Sequence, residues 1–277
     1  MVLFRCPVCR SPLEDCGNHA ACSNRHSFDR ASEGYYHLLP SNKMHAKLPG
    51  DSKEMVAARR AFLNAGYYQL FSDGINETAA KVLSGVKSPM ILDAGCGEGY
   101  YTARLKQALS EQRNDARIAG FDISKAAVKA AAKRDKEISF AVASIFDIPV
   151  ADGCCDLVLN VFAPIVPAEF ARVLKTGGVL LIAVPSERHL LGLKEILYES
   201  PYVNEETDTE YQGFDFLERI PLRGTITITD PEQIANLFSM TPYYWKTPQA
   251  GCERLRQAVQ LDTEIGFDLL LYRRHQA

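Results

Sequence analysis

Four cysteines and two histidines fall between Cys6 and His26. Cys6-x2-Cys9 is followed after twelve residues by Cys22-x3-His26. Each pair is a knuckle able to present two soft ligands, and zinc takes four such ligands in a tetrahedron. Pro7 suits the tight turn of the first knuckle. Three thiolates and one imidazole close the coordination sphere and leave no place for a catalytic water, so the expected metal is one structural Zn2+. Cys16 and His19 stand between the knuckles without a near partner and are read as loop residues. Unpaired cytosolic thiols are the competing reading, and four ligands at matching spacing argue against it.

A second constellation lies in "ILDAGCGEGY". An apolar strand ends in Asp93 and runs through Gly95, Gly97 and Gly99 into a helix. Glycines at this turn permit positive φ and let a ligand lie against the backbone. A second strand ends in Asp122, where a carboxylate can accept both hydroxyls of an adenosine ribose. The dinucleotide pattern G-x-G-x-x-G fails, because its last position falls on Tyr100 or Thr102. An acidic entry to the loop is wrong for a pyrophosphate. It suits a ligand bearing an ammonium and a sulfonium, which points to S-adenosylmethionine.

The elements that must position these groups follow from periodicity. Residues 1–37 form a small module too short to bury much core, residues 38–52 a proline-containing linker, and residues 53–277 the main domain. Ser52 or Asp51 caps a helix whose apolar face holds Met55, Ala58, Phe62 and Leu63, and a second helix covers about 67–84. From residue 90, apolar strands alternate with helices, which predicts an α/β fold with a doubly wound, mostly parallel sheet. Strands are expected again at "FLERIPLRGTITIT" and "EIGFDLLLYRR".

Composition is that of a globular protein, with 47% hydrophobic and 23% charged residues. No stretch reads as a membrane span or signal peptide. Eight cysteines without a disulfide pattern, two of them adjacent at 154 and 155, predict a reducing cytoplasm. The net charge of −3 gives no hint of nucleic acid, but residues 1–60 carry nine Lys/Arg against six Asp/Glu.

"CPVC…CSNRH", "FDRASEGYYHLLP", "PGDSKEMVAARRAFLNAGYY", "LDAGCGEGYYT" and "SERHL" together resemble the large-subunit (23S) ribosomal RNA guanine-N1-methyltransferases over essentially the whole chain. The resemblance implies a class I methyltransferase fold preceded by a zinc-binding domain that helps grip a ribosomal RNA hairpin. It implies a homodimer, with neither membrane nor DNA as partner. It places zinc ligands on Cys6, Cys9, Cys22 and His26, and cofactor contacts on Tyr68, Gly97, Glu98 and His189. It sets the methyl acceptor against the loop Asn160–Pro164, where Asn160, Phe162 and Pro164 are the candidates and Phe162 could stack on a flipped guanine. No residue stands out as a base. Lys43, Lys47, Arg59 and Arg60 are candidates for phosphate contact. The acidic position of the adenine side is taken by Ser144, with Asp147 nearby. Nucleotide 745 is the expected target and 748 the other. Two further functions compete: a small-molecule methyltransferase, and a zinc-containing RNA-binding protein without activity.

Overall fold

The computed structural model describes residues 3–40, 50–206 and 209–275. The first segment builds a three-stranded antiparallel sheet from β1 (Glu14–Asp15), β2 (His19–Ala21) and β3 (Ser27–Asp29). His19, read as a loop residue, opens β2. The next strand, β4 (Tyr36–His37), leaves this small sheet and pairs in parallel with β7 (Ser139–Val142). Leu38 and Leu39 are buried behind it.

The main sheet has eight strands in the order β10-β11-β9-β8-β5-β6-β7-β4. Strands β5 (Met90–Ala94), β6 (Arg117–Asp122), β7, β8 (Cys155–Val161) and β9 (Leu174–Pro185) run parallel. β11 (Leu261–Arg274) is antiparallel to β9, and β10 (Phe214–Ile228) is antiparallel to β11. This is the doubly wound, mostly parallel sheet expected from the alternation. Chain order reverses beside β5, so a crevice opens at the carboxyl ends of β5 and β8.

Helices α1 (Lys53–Asn64), α2 (Gln69–Val82), α3 (Tyr100–Glu111) and α4 (Lys125–Arg134) come before and among the first strands, and α5 (Pro167–Val173) and α6 (Leu191–Leu197) follow. Ser52 caps α1 by accepting from the Met55 amide, and Ser124 caps α4 by accepting from Ala127. Between β10 and β11 the chain makes α7 (Pro231–Ser239), a 3-10 turn (Pro242–Trp245) and α8 (Gln249–Gln257).

Alternate residues of each strand enter two buried clusters, as period two requires. Ile91, Ile118, Phe140, Val142, Leu157, Leu159 and Leu181 meet residues of α1 to α4 and α6 to α8. Met90, Leu92, Ala94, Phe121 and Val158 meet α5 on the other face, together with Phe4, Leu13, Ala20, Tyr36 and Leu38. The small module therefore serves as part of the second covering layer of the sheet. Among the described residues no helix is long and apolar enough to cross a membrane.

Candidate functional site

Two sites take shape. In the small module, Cys6, Cys9, Cys22 and His26 present ligand atoms that all lie within 4.8 Å of one another. Cys9 Sγ is 3.6 Å from Cys22 Sγ, and His26 Nδ1 is 3.5 Å from Cys6 Sγ and 3.4 Å from Cys22 Sγ. Zn–S and Zn–N bonds of about 2.0–2.3 Å on a tetrahedron set ligand separations near these values. The donor set fits one zinc held through Nδ1. Cys16 is exposed, 3.8 Å from the Glu14 carbonyl, and stays outside it.

The first knuckle is also a docking point. Arg5 donates its amide to the Pro149 carbonyl at 2.7 Å. Arg10, held at φ +63° by the knuckle turn, donates to the Ile148 carbonyl at 3.3 Å and forms an ion pair with Asp147. Asp147 is thereby engaged by the zinc module.

The second site is a cleft of about 810 Å³ at the crevice. Tyr68, Asp93, Gly95, Gly97, Glu98, Asp122 and His189 all line it, as do Phe162 and Pro164 of the acceptor loop. The three glycines differ in what they do. A Cβ on Gly95 would stand 2.4 Å from that of Ala163, so this glycine lets the cofactor turn and the acceptor loop touch. Gly97 has φ +53° and faces open space, the place for a ligand. Gly99 does not line the cleft. Its Cβ would lie 2.8 Å from the Ala131 Cβ, so it permits close packing of α3 on α4.

The carboxylates are arranged around the turn. Asp122 accepts the Gly97 amide at 3.0 Å and the Ser124 amide at 2.8 Å. Burial raises its pKa, and those two backbone donors pull it back. Asp93 is buried and accepts from the Thr102 hydroxyl at 2.5 Å, while its Oδ1 has no hydrogen-bond partner. Burial lifts its pKa to about 7, with Thr102 lowering it and the Asp122 charge raising it. Glu98 is buried in an ion pair with Arg134, and its Oε1 is also unpartnered. Burial raises its pKa against the pull of Arg134. Buried acceptors without donors are costly unless a ligand supplies them. An ammonium would do so at Asp93 Oδ1, and each Asp122 oxygen, which accepts one backbone amide, keeps a lone pair for a ribose hydroxyl, so the residues present fit S-adenosylmethionine.

His189 accepts from the Gly266 amide on Nδ1 at 3.3 Å. Burial, assisted by the Lys194 charge, lowers its pKa to about 3, so the ring is neutral with its proton on Nε2. Nε2 lies 3.4 Å from the Tyr68 hydroxyl and donates to it. The Tyr68 hydroxyl proton is then free to point into the cleft. Burial raises the pKa of Tyr68, so it stays a donor.

Asn160 is buried outside the cleft lining. Its amide donates to the Ala94 and Pro164 carbonyls, each at 3.2 Å, and so ties the glycine turn to the acceptor loop. Phe162 has φ +53°, a strained value for an aromatic residue. Its ring rests on Phe71 and Phe267, each 5.4 Å away, and is 47% exposed. Arg59 lines the cleft, paired with Asp51 and donating to the Met240 carbonyl at 3.2 Å. Arg60 is exposed on α1. Lys43 and Lys47 lie outside the described residues. Ser144 lines the cleft as well. Sequence reasoning missed Asn204 and Met240–Tyr243, which reach the same cleft from distant parts of the chain. No local spacing marks them.

A methyltransferase-domain model matches residues 87–218, and a zinc-ribbon model described as "RlmA, N-terminal" matches residues 4–47. The 23S rRNA (guanine(748)-N(1))-methyltransferase of Streptomyces fradiae is 38% identical over 70% of this chain and 67% of its own length. The Bacillus subtilis (strain 168) protein named "Putative 23S rRNA (guanine-N(1)-)-methyltransferase YxjB" is 31% identical over 97% of this chain and 96% of its own. A relative of like description from Micromonospora griseorubida is 32% identical over 89% of this chain and 88% of its own.

Proposed function

The chain belongs to the 23S rRNA guanine-N1-methyltransferase family, and from that premise we propose that it methylates N1 of a guanine in one hairpin of 23S rRNA. The observation that carries the proposal is the continuity of the cleft, from the glycine turn to Phe162 and Pro164. Bound S-adenosylmethionine supplies a methyl group already activated by its sulfonium. The protein's own work is to bind, orient and exclude.

Asp93 Oδ1 receives the ammonium and Asp122 the ribose hydroxyls, with Gly97 leaving room beside the turn. The open face of Phe162 stacks on the extracted guanine, fixing its N1 in line with the methyl carbon. The acceptor loop Phe162–Pro164 carries no ionisable side chain. The loop itself would thus offer no base, and the N1 proton would leave to solvent when the methyl is transferred.

Nucleotide 745 was the expectation from resemblance. The name of the Streptomyces fradiae relative gives 748, and this moves the preferred target to 748. The homodimer implied by the resemblance is part of the same reading and is checked by sedimentation. Labelled methyl transfer to a 23S rRNA hairpin, followed by primer extension, tests the function. Reverse transcriptase should stop one nucleotide before the modified base, because N1 lies on the pairing edge. Transfer without a stop places the methyl on another edge and overturns the N1 reading. Transfer confined to small molecules overturns the RNA reading.

A further inference from the structure

The protein has a single tryptophan, and it is on the surface: Trp245 is 72% exposed. It closes the 3-10 turn Pro242–Trp245, whose first two residues line the cleft. Its neighbour Tyr244 is 44% exposed and meets Trp245 edge to face, with ring centroids 5.0 Å apart. Tyr244 is backed in turn by Phe238 of α7 at 5.4 Å. An aromatic ladder thus runs from the core to solvent at the rim of the cleft.

Local hydrogen bonds hold the turn that carries it. Thr241 donates its hydroxyl to the Phe238 carbonyl at 2.8 Å, and Thr247 donates to the Tyr243 carbonyl at 2.9 Å. The Tyr243 ring lies 5.5 Å from the buried Lys194 ammonium. Lys246, exposed, follows the pair directly. Two exposed rings on a fixed support, with a cation beside them, match how proteins hold unpaired nucleotides: bases stack on aromatic faces and a cation meets the phosphate. Every base has a π-face, so such a platform orients a strand without reading its sequence.

We propose that Tyr244 and Trp245 form a stacking platform for an unpaired RNA base next to the guanine being methylated, with Lys246 on the adjoining phosphate. The proposal rests on the RNA reading of the cleft. Extraction of one base leaves its neighbours without a stacking partner. A platform at the rim supplies one, and the cleft then receives the target already splayed from its strand.

The lone tryptophan makes the platform directly observable. The probe is a synthetic 23S rRNA hairpin carrying the target guanine, added to zinc-loaded full-length protein saturated with S-adenosylhomocysteine so that no turnover occurs. The expected result is quenched tryptophan emission that saturates with the binding curve measured independently by polarisation of labelled RNA. Trp245→Ala should weaken RNA binding by about 5- to 150-fold, the span of one base–aromatic stack. Trp245→Phe should keep most of the affinity. Both variants should bind zinc and S-adenosylhomocysteine as the parent does, which shows that they fold. RNA that binds without changing the emission, or Trp245→Ala binding as tightly as the parent, overturns the platform. Emission that instead depends on protein concentration without RNA makes the pair a contact between two copies of the chain and also overturns it. Methyl transfer to the hairpin is measured alongside: if it occurs with silent emission, only the platform fails, and if it is absent, the functional reading fails.

Discussion

At the residue scale, two buried groups of opposite tendency face one cleft. The His189 pKa is lowered from 6.5 to about 3, so between those values the unfolded chain binds a proton that the folded protein refuses. Stability contributed by a neutral His189 is lost as pH falls below 6.5. The Asp93 pKa is raised from 3.8 to about 7, so over that window the folded protein holds a proton that the unfolded chain gives up. Its cost is complete above 7 and relieved as pH falls toward 4. The two effects oppose each other over most of the acidic range. Single variants should separate them, each by up to about 1.4 kcal/mol per pH unit. Relative to the parent, His189→Gln should gain stability on acidification below 6.5, and Asp93→Asn should lose it below 7. Urea unfolding at several pH values measures both. A His189→Gln difference independent of pH would contradict a neutral buried ring. Asp93 could be singled out in the sequence because its position at a strand end before glycines carries chemical meaning. His189 could be flagged only through family likeness, since its partners Tyr68 and Gly266 are remote in sequence.

At the scale of elements, the strands and their glycine turn were legible because apolar runs and left-handed positions are local properties. What the elements do to one another was not. Gly99 belongs to the loop by sequence, yet it serves the packing of α3 on α4. Asn160 sits in the acceptor segment, yet it works as a clamp between two loops. Only the folded chain puts Met240–Tyr243, in the insertion between β10 and β11, over the cleft. The zinc knuckle is the sharpest case. Sequence places it far from the glycine turn, but Arg5 and Arg10 hold residues 147–149, directly after the cleft-lining residues Ser144–Phe146. Arg10→Ala removes a partly exposed ion pair and one hydrogen bond to a carbonyl, together about 0.5–1.5 kcal/mol. The deleted side chain bonds to no zinc ligand, and the Arg10 amide keeps its bond to the Cys6 carbonyl. The variant should keep its zinc while its affinity for S-adenosylhomocysteine falls by roughly 2- to 10-fold, as measured by calorimetry. Unchanged affinity would mean that the loop of residues 144–149 keeps its shape without the knuckle.

At the scale of the whole molecule, the zinc module and the catalytic sheet share one buried cluster. Phe4, Leu13, Tyr36 and Leu38 lie against Met90, Leu92, Phe121 and Ile148, on a face otherwise covered by α5. A segment this short cannot hold its own fold without a staple, so the metal's binding energy is what keeps that covering in place. Sequence alone suggested a separable recognition unit, because a linker with two prolines follows it. The strand β4 inside the main sheet and the buried Leu38 and Leu39 tie the two parts together instead. Cys9→Ser removes one thiolate from the metal set and should release the zinc. The module should then unfold and uncover the face of the sheet that carries β5 and β6, whose ends hold Asp93 and Asp122. Cofactor affinity should therefore fall along with zinc, and methyl transfer to RNA should fall with it, since the cofactor turn is disturbed. Atomic emission for zinc, calorimetric titration with S-adenosylhomocysteine and labelled methyl transfer read the three consequences. Zinc loss with cofactor affinity intact would show that α5 suffices to hold that face without the module.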